Sequence, residues 1–462
     1  MSDPAKLLET DEQQQLQDVT PELIEVVLKA VRENRSADVS EIVGRLSPAD
    51  IAHILEQISS EERRVLVSLL GLTMDPEALI ELDDDVRDDV IQSMATKDIA
   101  AMASELESDD AADIIGDLDA DDRAEVLAQM PAEERANVEQ SLSYDEGTAG
   151  RLMQLELAKV PQSWTVGETI DYFRESADEL PEDFYDVFVV DADNRPVGVV
   201  ALDRLVRSKR PLGVAEIMGR DIRTVAVTVP QDEVAHLFRD ENLVSCPVVD
   251  DQGRLVGVIT VDDVVDIIDE EAEKDLLSMA GVSEVDIFAD VRRTATARFG
   301  WLFVNLLTAL IASSVIGLFE TEIIKVVALA VLAPIVASMG GNAGTQTLTV
   351  AVRALAMKEL TVTNALRFIG KELIVGTFNG ILFALVTGMV AALWFADWRI
   401  GAIIGAALIV NLLAASLAGT LIPLTLERLR IDPAVASVVF LTTVTDVVGF
   451  FAFLGLAALF LT

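Results

Sequence analysis

The stretch TTVTDVVGF, Thr442 to Phe450, sets one carboxylate in an apolar run that continues to the C-terminus. From Ala434 to Thr462 no other side chain is charged, and the run exceeds the roughly 20 apolar residues that cross a bilayer. An ionised Asp446 at that depth costs a few kcal/mol or more unless it faces water, a cation or a counter-charge. A second unusual stretch is PIVASMGGNAGTQTLT, Pro334 to Thr349. Pro334 lacks an amide donor, and Gly340, Gly341 and Gly344 permit a bent backbone or close approach by a neighbour. Asn342, Thr345, Gln346, Thr347 and Thr349 add neutral oxygens. Neutral oxygens with one negative charge suit a hard divalent cation or its hydration shell. The plainer reading of the glycines is helix packing through small residues, with polar groups as glue.

Charge divides the chain sharply in two. Of 77 acidic residues only eight lie beyond Asp290, so residues 1–290 carry a net charge of −45 and the remainder carries +3. The C-terminal part contains five hydrophobic segments, at about 299–319, 323–352, 368–396, 400–424 and 434–461. The second and third are interrupted by glycine, which predicts tilt or breaks. Arg292, Arg293 and Arg298 precede the first segment, Arg353, Lys358, Arg367 and Lys371 surround one loop, and Arg428 and Arg430 lie in another. The remaining connections have no basic excess. The basic loops therefore belong on the cytoplasmic side, and an odd number of spans leaves the C-terminus outside. No secretory signal opens the chain, whose first 37 residues read as a flexible tail. A single cysteine, Cys246, excludes an intrachain disulfide and fits a reducing compartment.

The soluble part has two textures. Across 38–150, polar openers precede short apolar-periodic runs, and from Asp83 onward they recur at intervals of about 12 residues. Each opener reads as an N-cap with acids in the first turn. Helices this short must stack to bury their apolar faces, which predicts an α-superhelical domain. Across 151–269 the texture changes to a duplicated α/β unit. VVDADNRPVGVV (Val189–Val200) and VVDDQGRLVGVI (Val248–Ile259) are strand, turn and strand at an offset of 59 residues.

Three features together, GGNAGTQTLTV (Gly340–Val350), TTVTDVVGFFAFLG (Thr442–Gly455) and this soluble architecture, resemble the MgtE family of magnesium channels, which has animal transporter relatives. The resemblance covers nearly the whole chain from about Asp38. It implies an acidic helical N-domain (38–150), tandem CBS domains (151–269), a connecting helix over 270–298 that plugs the pore, and an all-α pore domain (299–462) with five membrane helices. It further implies a homodimer in the plasma membrane whose pore lies between subunits, with Asp446 holding hydrated Mg2+ and cytosolic Mg2+ closing the path. Gly340, Gly341, Asn342, Gly344, Thr442 and Thr445 join Asp446 as candidate pore residues, although threonine hydroxyls bonded to backbone carbonyls explain the last two equally well.

The same resemblance nominates Asp263, Asp266, Glu271, Asp275 and Asp432 as regulatory metal ligands, with Asp109, Asp110 and Asp113 in the N-domain as further candidates. Acids crowded where subdomains approach repel one another, and a bound divalent cation removes that repulsion. For most of the acids a solvated surface is the simpler account. In the second CBS repeat Thr260 and Asp263 occupy the positions that typically meet a ribose, making ATP a candidate ligand. Ala201 and Arg204 replace them in the first repeat, and a purely scaffolding pair explains the duplication as well.

The rival function is a divalent-cation transporter coupled to Na+ or H+, with Asp446 as a titrating relay; other divalent cations are candidate cargo for either device. Five spans show no inverted repeat to support it. An enzyme is not expected: the two histidines, His53 and His236, fall in separate soluble helices, and there is no Cys/His cluster, phosphate loop or nucleophile and base pair. Nucleic acid is not an expected partner of so acidic a chain.

Overall fold

The computed structural model describes residues 19–176, 180–181, 184–282, 291–361 and 363–461. The chain divides at Glu271 and Ala272 into two compact units.

The first unit begins with ten helices: α1 (Pro21–Arg32), α2 (Ser36–Val43), α3 (Pro48–Glu56), α4 (Ser60–Leu70), α5 (Glu77–Ile80), α6 (Asp84–Ser93), α7 (Thr96–Ala103), α8 (Ser108–Gly116), α9 (Ala120–Gln129) and α10 (Ala132–Ser141). From α6 to α10 they start twelve residues apart, and α7 packs on α9 as α8 packs on α10. Stacking of alternate helices buries Val86, Ile99, Ile114, Val126 and Val138 in one continuous core. The boundary expected at residue 38 is corrected: α1 and α2 belong to this domain, because Val27, Ala30, Val31 and Val39 sit in the same core. The tail expected over residues 1–37 therefore reaches no further than the start of α1, and residues 1–18 lie outside the described ones.

The expected caps form at some helices only. Ser47 closes a capping box with Asp50, and Ser59 accepts from the Glu62 amide. Asp83, Glu107 and Asp119 stand at N-cap positions without a side-chain cap bond. At the other helix ends, arginines satisfy the terminal carbonyls. Buried Arg63 donates through Nε to the Leu55 carbonyl (2.9 Å), and Arg123 repeats this on Ile115 (3.2 Å).

A linker helix α11 (Ala149–Leu152) leads into two matching three-stranded sheets. The first contains β1 (Lys159–Pro161), β2 (Asp186–Val190) and β3 (Pro196–Ala201), with α12 (Val166–Glu175) between its first two strands and α13 (Leu202–Arg207) and α14 (Val214–Ile217) after it. The second contains β4 (Val225–Ala226), α15 (Gln231–Glu241), β5 (Ser245–Val249) and β6 (Leu255–Thr260). In each, the first strand pair is parallel and the second antiparallel. The register Asp186 to Ala201 reappears as Ser245 to Thr260, so the 59-residue offset read in the sequence is a duplicated fold. Both hairpin turns use an aspartate whose Oδ1 accepts two amides, Asp191 and Asp250, followed by a left-handed residue, Asn194 (φ 60°) and Gly253 (φ 76°).

Helix α16 (Val261–Ala280) leaves the last strand and ends at Gly281, whose φ of 69° closes the helix with Val282 donating to the Leu277 carbonyl. The connecting helix expected over 270–298 is thus helical to Ala280, with 283–290 outside the described residues. The second unit continues with α17 (Val291–Gly317), α18 (Glu320–Lys325), α19 (Ala328–Ala356), α20 (Ala365–Phe395), α21 (Trp398–Arg428) and α22 (Pro433–Phe460). Five of these are long and apolar enough to span a membrane: Thr294–Gly317, Ala328–Ala356, Ala365–Phe395, Trp398–Arg428 and Val438–Phe460.

Helix α21 is the hub, packing on α19, α20 and α22. Small residues let it approach α20: Gly376, Gly380, Ala384 and Gly388 recur every fourth residue on the buried face, and a methyl on Gly388 would sit 2.8 Å from the Gly401 carbonyl. The break expected in the second span is corrected as well. Helix α19 runs unbroken through Pro334 and the glycines, of which Gly340 and Gly344 serve close packing of neighbouring helices instead of unwinding.

Candidate functional site

Asp446 lies on α22, partly exposed, and its carboxylate has no hydrogen bond or ion pair among the described residues. Nothing among the described residues neutralises it, so a charge there is available to a cation reaching that face. The neighbouring hydroxyls are engaged inside the helix. Thr442 and Thr443 both donate to the Val439 carbonyl (3.1 and 2.7 Å), and fully buried Thr445 donates to that of Thr442 (3.0 Å). Thr442 keeps acceptor lone pairs toward its partly exposed side, whereas Thr445 points into packing.

The three glycines of α19 differ in role. Gly340 faces Asn411, and a methyl on Gly344 would lie 2.8 Å from Leu441 of α22. Gly341 faces open space, with nothing within 4 Å of an added methyl, beside exposed Asn342. Close approach thus belongs to Gly340 and Gly344, while Gly341 and Asn342 mark the uncovered face. Leu441 lies five residues before Asp446, about one and a half turns along α22, so the Gly344 contact and Asp446 fall on neighbouring turns but on different faces of that helix. Met279, from the last turn of α16, packs against the neighbouring cluster of Leu348, Val352, Ala418, Ala434 and Leu441.

One charged residue of the membrane part was not singled out from the sequence. Glu372 is buried on α20 and accepts from Thr347 Oγ1 at 3.2 Å. Its position four residues before Gly376, at the head of the small-residue stripe, was the available signal.

In the first unit a second group of acids is drawn together. Ser108 donates twice to Glu156 of the linker after α11, by its amide (3.3 Å) and its hydroxyl (2.7 Å), and Asn137 donates to the other Glu156 oxygen (3.2 Å). Arg151 adds a bond to the Ala112 carbonyl (2.6 Å) and a contact with Asp113 (3.2 Å). These bonds hold α8 against α11 and the linker that follows it, and the start of α16 lies close enough for Asp263 to act on the α8 acids. Burial and the nearby Asp263 push Asp110 up to about 8 and hold Asp109 well above the usual carboxylate range. Glu107 rises to about 7 by burial together with Asp263, Glu156 and Asp262. Asp263 itself rises to about 6, through burial opposed by a hydrogen bond from Thr260. Each unit of upward shift disfavours the fully ionised arrangement by about 1.4 kcal/mol.

The predicted regulatory residues therefore separate. Asp109, Asp110 and Asp263 meet, joined by Glu107 and Asp262, which the sequence did not single out. Asp266 is pushed up by burial and by Glu81. Asp113 is more than half exposed and already paired with Arg151. Asp432 caps α22, accepting from the Ala434 amide at 2.8 Å. Glu271 lies mid-helix on α16, partly exposed, and the side chain of Asp275 lies outside the described residues. Among the described residues no three His, Cys, Asp or Glu side chains converge as a preformed metal cage. Separated carboxylates of this kind suit a cation that keeps its waters, as Mg2+ does. Thr260 and Asp263 bond to each other (2.6 Å) at the start of α16, the geometry of a helix cap.

A multi-pass membrane unit whose intramembrane Asp446 has no partner among the described residues, joined to a strongly acidic unit, fits the class of divalent-cation transport proteins. A family model described as divalent cation transporter matches residues 333–456, the MgtE intracellular N domain matches 46–147, and CBS domains match 149–210 and 214–270. Magnesium transporter MgtE of Thermus thermophilus is 31% identical over 94% of this chain and 97% of its own. That of Bacillus subtilis is 29% identical over 95% and 98%, and that of Enterococcus faecalis 34% over 70% and 71%. A solved cytosolic domain of the Mg2+ channel MgtE in complex with ATP is 30% identical, covers 53% of this chain and 99% of its own, and has a TM-score of 0.49. The chain belongs to the MgtE family of magnesium transporters.

Proposed function

We propose that the protein is a homodimeric channel that imports Mg2+ across the plasma membrane, with its N-terminus in the cytoplasm, and that it closes as cytosolic Mg2+ rises. The observation that carries the permeation part is Asp446, a carboxylate on a membrane helix without a partner among the described residues. Two copies related by a two-fold axis would place two such carboxylates on one path. Their charge attracts a divalent ion, while contact through water leaves it free to move on. Asn342 and the lone pairs of Thr442 are secondary candidates for bonding the hydration shell.

Closure follows from the acids of α8 and α16. Glu107, Asp109, Asp110, Asp262 and Asp263 repel one another when ionised, so a divalent cation between them stabilises the apposed arrangement over any arrangement that separates them. A ligand shifts an equilibrium by its differential affinity for the two states, and this cluster supplies such a difference. In this reading the boundaries follow function: an acidic sensing domain, a CBS pair to 269, a connecting helix whose Met279 rests on the pore helices, and a pore domain from 299. Adenine nucleotide is a further candidate ligand at Thr260 and Asp263, supported by the ATP-bound relative.

The test is Mg2+ uptake into liposomes holding purified full-length protein. Asp446→Ala should abolish uptake while the dimer stays folded, and Asp446→Asn, which keeps shape and an oxygen, should be severely impaired. Normal uptake by either variant would overturn the assignment of Asp446.

A further inference from the structure

Asn411, on α21 in the membrane unit, is a polar side chain with no exposure to solvent. Its Nδ2 donates to the Val336 carbonyl of α19 at 2.8 Å, and its Oδ1, also buried, has no hydrogen-bond partner among the described residues. A carboxamide costs a few kcal/mol to bury in apolar surroundings when half of it is left unbonded. Packing alone would favour a leucine here.

What surrounds the carboxamide is specific to its shape. A methyl group built on Gly340 of α19 would overlap Nδ2, and one built on Gly449 of α22 would lie 2.6 Å from Nδ2 and 3.0 Å from Cγ. Two glycines on two different helices therefore leave room for one amide on a third. Those helices carry the candidate permeation residues. Asn342 stands two positions after Gly340, and Asp446 stands three positions before Gly449, flanking the face buried through Thr445 and Gly449. Asn411 thus touches both of the helices that carry them.

We propose that Asn411 is a positioning residue for ion permeation: clasped between Gly340 and Gly449 and bonded to Val336, it fixes the separation and rotation of the two helices that present Asn342 and Asp446 to the ion. The proposal rests on Asp446 as the permeation acid. It assigns the Gly340 and Gly449 positions a common purpose, room for this amide.

The experiment measures Mg2+ flux and Mg2+ over Ca2+ discrimination of full-length protein in liposomes, with elution volume and thermal midpoint recorded for each variant. Asn411→Leu keeps the bulk and removes the hydrogen bond; it should leave the fold intact and reduce flux or discrimination about tenfold, the scale of one lost buried hydrogen bond. Gly340→Ala should reduce flux similarly, and Gly340→Ala combined with Asn411→Ala should recover at least half of what Gly340→Ala loses. Should Asn411→Leu fail to fold, Asn411→Ser, small and still polar, takes its place in the same assay. Wild-type flux and discrimination in Asn411→Leu, or no recovery in the paired variant, while Asp446→Asn is silent, would overturn the positioning role alone. Normal flux in Asp446→Asn would overturn the permeation reading itself and the proposal with it.

Discussion

The two parts of the molecule use carboxylates in opposite ways. In the membrane unit one acid, Asp446, stands apart from every other charge on an apolar helix; in the soluble unit Glu107, Asp109, Asp110, Asp262 and Asp263 are pressed together. An isolated acid attracts a passing cation without surrounding it, which favours transit. A crowd of acids is unstable until something positive enters it, which favours a lasting response. In the proposed reading one ion, Mg2+, is cargo to one unit and signal to the other.

Removing the crowd is the largest expected perturbation. A protein lacking residues 1–268 should still conduct Mg2+ but no longer close as internal Mg2+ is raised. Current that still closes at an unchanged midpoint would return the acidic charge to a solvated surface. A finer version neutralises Asp263, Asp266, Glu271 and Asp275 to the corresponding amides in the full chain. Inhibition should then need roughly tenfold more internal Mg2+, and a midpoint equal to that of the wild type would separate these acids from sensing.

Protons should substitute for the cation in part. Glu107, Asp110 and Asp263 are raised to about 7, 8 and 6 in the folded unit, above the ordinary carboxylate range of a disordered chain. The folded arrangement therefore holds protons more tightly than the unfolded one. Its stability increases as pH falls from about 8 toward 6 and is lost as pH rises through these values. In Mg2+-free buffer the soluble unit should melt roughly 5 °C higher at pH 6 than at pH 8, and saturating Mg2+ should shrink the gap. Melting that ignores pH without Mg2+ would mean that the acids are not held together.

The smallest effect separates the glycines. Gly344→Val meets Leu441 and should impair flux strongly, whereas Gly341→Val, with open space around it, should be mild unless that face lines the path or meets a second copy. Comparing the two at equal protein yield measures how much of the exposed α19 face the dimer uses.

Much of this was legible in the sequence because it follows from local pattern. The 59-residue offset carried the duplicated sheets, the twelve-residue openers carried the stacked helices, and the single acid in a long apolar run carried Asp446. The remainder depends on contacts between distant segments. The glycines read as a break because glycine permits unwinding, but α21 supplies Asn411 as a packing partner and α19 stays helical. Residues 21–37 read as a tail because a polar start hides the buried stripe of Val27, Ala30 and Val31. Glu107 reads as an ordinary N-cap and Asp262 as an ordinary first-turn acid, and their part in the cluster follows from the approach of α8 to the linker and to the start of α16.

The most direct test of cargo and signal together is the current carried by full-length protein in a planar bilayer with a Mg2+ gradient as the only driving force, recorded while Mg2+ is stepped up on the cytoplasmic side. The account predicts a passive Mg2+ current, without a Na+ or proton gradient, that declines as cytoplasmic Mg2+ rises. Flux that strictly requires a Na+ or proton gradient, or current indifferent to cytoplasmic Mg2+, would contradict it.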